Sequence, residues 1–177
     1  LDEHGQATRW YGTLTDIHDI KKVREELETS QAMLEQAQAA ADIGSYEFDF
    51  VTSLCRWSTN LFAIFSIPER HGWFDADVWI KMIVPEDLER VQSEIWAAVK
   101  DQTAVDVRYR IQRPTGDIRY LHSRAMVKYK DGKPDRLIGT AQDVTQLEEA
   151  NRALRLSEQQ FRTMTESSPL GVFVTDS

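Results

Sequence analysis

Val105-Asp106-Val107-Arg108-Tyr109-Arg110-Ile111-Gln112, the turn Pro114-Thr115-Gly116-Asp117, the run Ile118–Tyr129, the turn Asp131-Gly132-Lys133-Pro134 and the run Arg136–Gln142 decide the fold. Val105, Val107, Tyr109 and Ile111 alternate with Asp106, Arg108, Arg110 and Gln112, the period of a half-buried strand. Both Gly-containing tetrapeptides are turn sequences short enough to reverse the chain directly. Three strands joined this way form an antiparallel meander.

On the N-terminal side, Pro85 opens a helix over Glu86–Lys100, where its missing N–H costs nothing. Shorter helices are predicted at Thr59–Ser66 and Trp79–Ile83, and strands at Ile43–Phe50 and Leu54–Ser58. Two strands, a helical middle and a three-strand meander describe an α+β domain. Its single five-stranded antiparallel sheet carries helices over one face.

Farther out lies an internal repeat. Shifted by 127 residues, the two ends of the chain align without a gap: Gly12-Thr13 on Gly139-Thr140, Asp16 on Asp143, Leu27 on Leu154, Gly44 on Gly171. That period is too long for a solenoid and fits a whole domain plus its linker. The expected layout is the tail of one copy (1–16), a linker helix (17–41), one complete domain (42–146), a second linker helix (147–166) and the start of a further copy (167–177). Both ends are then cuts through neighbouring copies. Residues 17–41 lack Pro and Gly and are rich in helix formers. Asp16 and Asp143 stand as N-caps, the latter with Gln146 at the capping-box position.

Composition narrows the class. The 177 residues are 41% hydrophobic and 28% charged, enough apolar material for a core. No apolar run approaches the ~18–20 residues of a membrane span, so no membrane contact is expected of this segment. A net charge of -8 and a pI near 5.0 argue against nucleic acid as a partner. The one cysteine, Cys55, cannot close an internal disulfide or build a thiolate zinc site, which suits the cytoplasm and gives no metal site.

Several segments together resemble a PAS domain. Ile43-Gly44-Ser45-Tyr46-Glu47-Phe48-Asp49, Arg56-Trp57-Ser58 and Leu61-Phe62-Ala63-Ile64-Phe65 look like its opening. Ile83-Val84-Pro85-Glu86-Asp87-Leu88 is similar to its "H-P-E-D" helix start, with Val84 where His is frequent. Gly116-Asp117-Ile118-Arg119-Tyr120 and Leu137-Ile138-Gly139-Thr140-Ala141-Gln142-Asp143-Val144-Thr145 resemble its C-terminal part. The resemblance implies strand order 2-1-5-4-3 and a pocket between helices and sheet. It also implies a multi-PAS parent: a bacterial diguanylate cyclase or cyclic-di-GMP phosphodiesterase, or a sensor histidine kinase in a two-component system.

For the segment itself no catalytic residue is assigned. It shows no Gly-rich phosphate loop, no H-E-x-x-H, no G-x-S-x-G, no phospho-acceptor His motif and no GGDEF. Cys55 stands in a predicted strand after Leu54, unlike the N-C-R-F-L-Q helix of photoreactive PAS domains, and reads as a small apolar residue. The helix Glu86–Lys100 lacks the His that haem-binding members use; His71 falls in a loop. No cofactor is therefore named, and the occupant is left open between none and a small organic ligand. Tyr46, Phe48, Trp57, Phe62, Phe65, Trp79, Tyr109 and His122 are the candidate pocket residues, although aromatics equally fill cores.

The linkers carry a heptad seam. Ile20, Leu27 and Leu34 recur every seven residues, as do Leu147 and Leu154, with Val23, Ser30, Ala150 and Ser157 three places after a seam residue. Such a seam with weak second positions suits a parallel, shiftable coiled coil and hence a homodimer; the alternative is helices folded onto the outer sheet face. Asp143, Val144 and Thr145 join sheet to linker. Asp143 caps the helix, a contribution of about 1 kcal/mol, and has an oxygen left for a cation such as Arg119 or Arg136. The reading is a signal relay to adjacent PAS and output domains; the alternative is a ligand-free dimerisation spacer.

Overall fold

A computed structural model describes residues 18–167. The chain divides into two units, 1–37 and 38–177. The helix α1, His18–Ala40, forms the described part of the first and runs into the second. The partial copies expected at 1–16 and, but for its first residue, at 167–177 lie outside the described residues.

The second unit opens with β1 (Ile43–Asp49) and β2 (Leu54–Trp57), followed by α2 (Thr59–Phe65), β3 (Phe74–Asp75), α3 (Asp77–Ile80) and α4 (Pro85–Asp101). It closes with β4 (Val105–Gln112), β5 (Ile118–Lys130), β6 (Lys133–Asp143) and α5 (Thr145–Ser167). The strands form one antiparallel sheet in the order β3-β2-β1-β6-β5-β4. Omitting β3, this is the order 2-1-5-4-3. The sheet thus has six strands, not five. The added strand is two residues long, too short for any periodicity to announce, and is held by the pairing of Phe74 with Cys55.

The meander follows its alternation. Val105, Val107, Tyr109 and Ile111 are buried on the inner face while Asp106, Arg108 and Gln112 face out. Asp131 and Gly132 both take positive φ, the two-residue hairpin turn that matches strand twist. Pairing therefore continues to Lys130↔Lys133, so β6 starts earlier than Arg136. The expected helix Trp79–Ile83 is displaced to Asp77–Ile80. Beyond it the chain turns extended: Ile83 bridges Ile111, and the Val84 N–H donates to the Arg110 carbonyl.

Helix α4 has Pro85 in its first turn with Glu86 and Asp87, whose charges suit a helix N-terminus. Asp87 does more than favour the dipole. Its carboxylate accepts from the Arg110 N–H, Nε and guanidinium Nη2 at 2.8–3.0 Å, fastening α4 to β4. At the other end the Tyr129 hydroxyl donates to the Val99 carbonyl at 2.7 Å.

Phe62, Phe65, Leu61, Ile111, Leu121 and Val91 are the large fully buried side chains, each contributing about 1.5–3 kcal/mol by leaving water. Gly44 lets α2 approach β1: a Cβ there would sit 2.5 Å from the Leu61 Cβ and 2.6 Å from its Cα.

Candidate functional site

The inner sheet face, α2, α3 and α4 enclose a cavity of about 290 Å³. Tyr46 and Phe48 reach it from β1, Trp57 from β2, Phe65 from α2, Trp79 from α3 and Tyr109 from β4. Six of the eight aromatic and histidine candidates are thus brought together. Phe62 and His122 are not. Phe62 packs in a second cluster with Cys55 and Phe74, its ring 5.3 Å from that of Trp57. His122 has the opposite strand parity from Leu121 and Ser123, so it faces outward, with Nε2 2.6 Å from Asp106.

Several lining residues escaped the sequence reading. Cys55 borders the cavity, its thiol pushed up to about 12 by burial and secondarily by Asp75, so it stays protonated. Gln92 and Trp96 come from α4, and Phe50, whose ring lies 5.9 Å from that of Trp96, from the end of β1. Ser123 was legible in principle, since it shares parity with Leu121 and Ala125.

One polar cluster interrupts the apolar wall. Tyr46 Oη and Ser123 Oγ are 2.7 Å apart, and the Trp79 indole N–H donates to Tyr109 Oη at 3.1 Å. Burial raises the Tyr46 phenol to about 12 and that of Tyr109 further. Both stay neutral at any physiological pH, able to hydrogen-bond but not to act as bases.

A second polar cluster lies where β6 becomes α5. Asp143 Oδ1 accepts from the Thr145 N–H at 2.9 Å and from its hydroxyl. Thr145 Oγ1 accepts from the Tyr120 N–H, and the Val144 N–H donates to the Tyr120 carbonyl. Val144 and Thr145 are buried. Asp143 therefore stands one position before the helix boundary. It braces the first helical residue, and the Gln146 half of the expected capping box is not among the hydrogen bonds of the described residues.

Asp143 Oδ2 faces Arg113 at 3.6 Å and Arg119 at 3.8 Å. Arg136 lies elsewhere, bound to Glu47 at 2.6 Å and 3.5 Å from Asp49, because it pairs with Asp49 across β1 and β6. Arg113 was missed entirely. Its Nε donates to the Ile64 carbonyl at 2.6 Å, one of the last carbonyls of α2, which lacks an intrahelical partner. One guanidinium thus touches both the helix that walls the cavity and the carboxylate that starts α5.

The family model for the PAS fold matches residues 68–141. A solved sensory box histidine kinase/response regulator from Burkholderia thailandensis is 26% identical, with a TM-score of 0.63 over 73% of this chain and 97% of that one. The chain adopts the PAS fold. Among curated relatives, the probable diguanylate cyclase DgcE of Escherichia coli K12 is 26% identical over 87% of this chain and 14% of its own length. The sensor protein FixL of Bradyrhizobium diazoefficiens is 23% identical over 76% of this chain and 26% of its own. PAS segments like this one accordingly occur in diguanylate cyclase and sensor contexts, and the chain spans 14% and 26% of the length of these two relatives. Among the described residues no helix is long and apolar enough to cross a membrane.

Proposed function

We propose that this PAS domain is a sensory relay in a longer signalling protein. Occupancy of the cavity, or a neighbouring domain acting through α1, alters the sheet, and the change reaches an output enzyme through α5. The observation that carries this reading is Arg113, whose guanidinium spans from the Ile64 carbonyl to Asp143. A shift of α2 around a ligand would change where that charge sits, and with it the brace on Thr145. The output enzyme would be one that turns over cyclic-di-GMP or a histidine kinase, in the cytoplasm.

Dimerisation belongs to the same proposal. Leu147 and Leu154 are 57% and 59% exposed along α5, and Ile20, Leu27 and Leu34 are likewise exposed along α1. A row of apolar side chains every seven residues in water is stabilised by a second copy of the same row. Native mass spectrometry of the chain should find a dimer; a monomer at micromolar concentration contradicts this part.

The relay is tested by joining α5 to a diguanylate cyclase domain and measuring product formation. Asp143→Ala should erase the regulated component of the rate and leave the basal component. Regulation that survives Asp143→Ala would instead make the module a dimerisation spacer.

A further inference from the structure

We infer that the cavity takes an uncharged aromatic molecule of one or two rings bearing a hydroxyl or carbonyl group. This rests on the sensory reading of the cavity and specifies what it senses.

The absence of charge among the lining residues comes first. Among the described residues, no Asp, Glu, Lys, Arg or His side chain borders the cavity. An ionised ligand would be buried without a counter-charge, which costs far more than hydrogen bonds of neutral groups return. Carboxylates and phosphates are therefore rejected. Size comes second. About 290 Å³ stands at the small end of ligand pockets, which run roughly 300–1,000 Å³. Shape and polarity of the wall come third. Trp57, Phe65 and Trp79 offer ring faces and edges, against which a flat ring packs better than a flexible chain does.

The hydroxyl or carbonyl is received by the Tyr46–Ser123 pair. Either oxygen of that pair can be the donor, so it can receive a ligand hydroxyl or donate to a ligand carbonyl by reorienting two protons. The Trp79 N–H is already committed to Tyr109. Gln92 of α4 borders the same cavity with an amide that can donate and accept, so a second polar group on the ligand is satisfied only where it reaches Gln92 and elsewhere is buried without a partner.

The test uses the whole chain and three single-ring probes, 4-methylphenol, toluene and 4-hydroxybenzoate, titrated by calorimetry and by tryptophan fluorescence. 4-Methylphenol should bind, toluene about five- to tenfold more weakly for want of one buried hydrogen bond, and 4-hydroxybenzoate roughly a hundredfold more weakly or not at all. Tyr46→Phe, checked for folding by circular dichroism, should bring 4-methylphenol to within about twofold of toluene. Binding of 4-hydroxybenzoate equal to that of 4-methylphenol overturns the inference. So does equal binding of 4-methylphenol and toluene by the unmodified chain, or no binding of either neutral ring by the folded protein. Failure of the relay looks different: 4-methylphenol would bind as described, yet the fused cyclase would not respond.

Discussion

The PAS domain holds two polar clusters of similar extent and opposite character. The one in the cavity wall, the buried Ser123 and Tyr109 with the half-buried Tyr46 and Trp79, is neutral throughout and held by bonds of 2.7 and 3.1 Å. The one at the start of α5 joins Arg113, Arg119 and Asp143 across 3.6–3.8 Å, with Thr145 and the backbone of Tyr120. Neutral hydroxyls can exchange partners with a guest without stranding a charge. The looser charge contact at the largely buried corner, with Arg119 partly exposed beside it, can lengthen or shorten smoothly, since attraction between charges falls gradually with distance. On the proposed relay the difference is a division of labour: one cluster would accept an exchange of partners and the other would shift, and Arg113 touches the cavity-side helix and the corner at once.

The largest expected effect breaks the cavity side. Phe65 is buried against Trp57, the ring centroids 4.6 Å apart, so Phe65→Ala should cost about 3–5 kcal/mol in urea unfolding. Next, Asp87→Ala should cost about 2 kcal/mol, because it strands the Arg110 N–H and frees α4, while the partly exposed guanidinium recovers some hydration. The same lock fails in acid. Hydrogen bonds from Arg110 hold the Asp87 carboxyl below the usual range, as Arg136 does for Glu47. Unfolded carboxyls bind protons first as pH falls, near pH 4. Stability from these groups is thus complete above that value and lost as pH drops through their lower folded values, which thermal melts between pH 6 and pH 2 should record.

Smaller effects sharpen the contrast. Asp143→Ala should cost about 1–2 kcal/mol, the brace on Thr145 and one counter-charge of Arg113, which keeps Asp117 and the Ile64 carbonyl. Its main signature is functional, whereas Phe65→Ala is chiefly structural. Tyr46→Phe should cost about 0.5–1.5 kcal/mol and change ligand choice more than stability.

Much of this was legible in the sequence. The alternation from Val105 to Ile111 and the Asp131-Gly132 turn specify the meander by local physics alone. The two glycines that admit no Cβ, Gly44 against Leu61 and Gly139 against Arg124 and Ala125, have counterparts Gly171 and Gly12 in the repeat. The candidate site was harder. Strand parity separates Ser123 from His122, and a stricter use of it would have exchanged the two. Phe62 and Phe65, three residues apart on a seven-residue helix, divide between two clusters according to what lies opposite, which no local pattern states. Arg113 was invisible for the same reason: its partner Ile64 is 49 residues away and is a backbone carbonyl, so no side-chain pattern marks the contact.

The most direct measurement is hydrogen–deuterium exchange across residues 145–149 with and without saturating 4-methylphenol, in the unmodified chain and in Arg113→Gln. The account predicts that ligand changes exchange at the start of α5, and that Arg113→Gln keeps the response of the cavity strands but loses that of α5. Cavity strands that respond while residues 145–149 do not, or an α5 response that Arg113→Gln leaves intact, would contradict it.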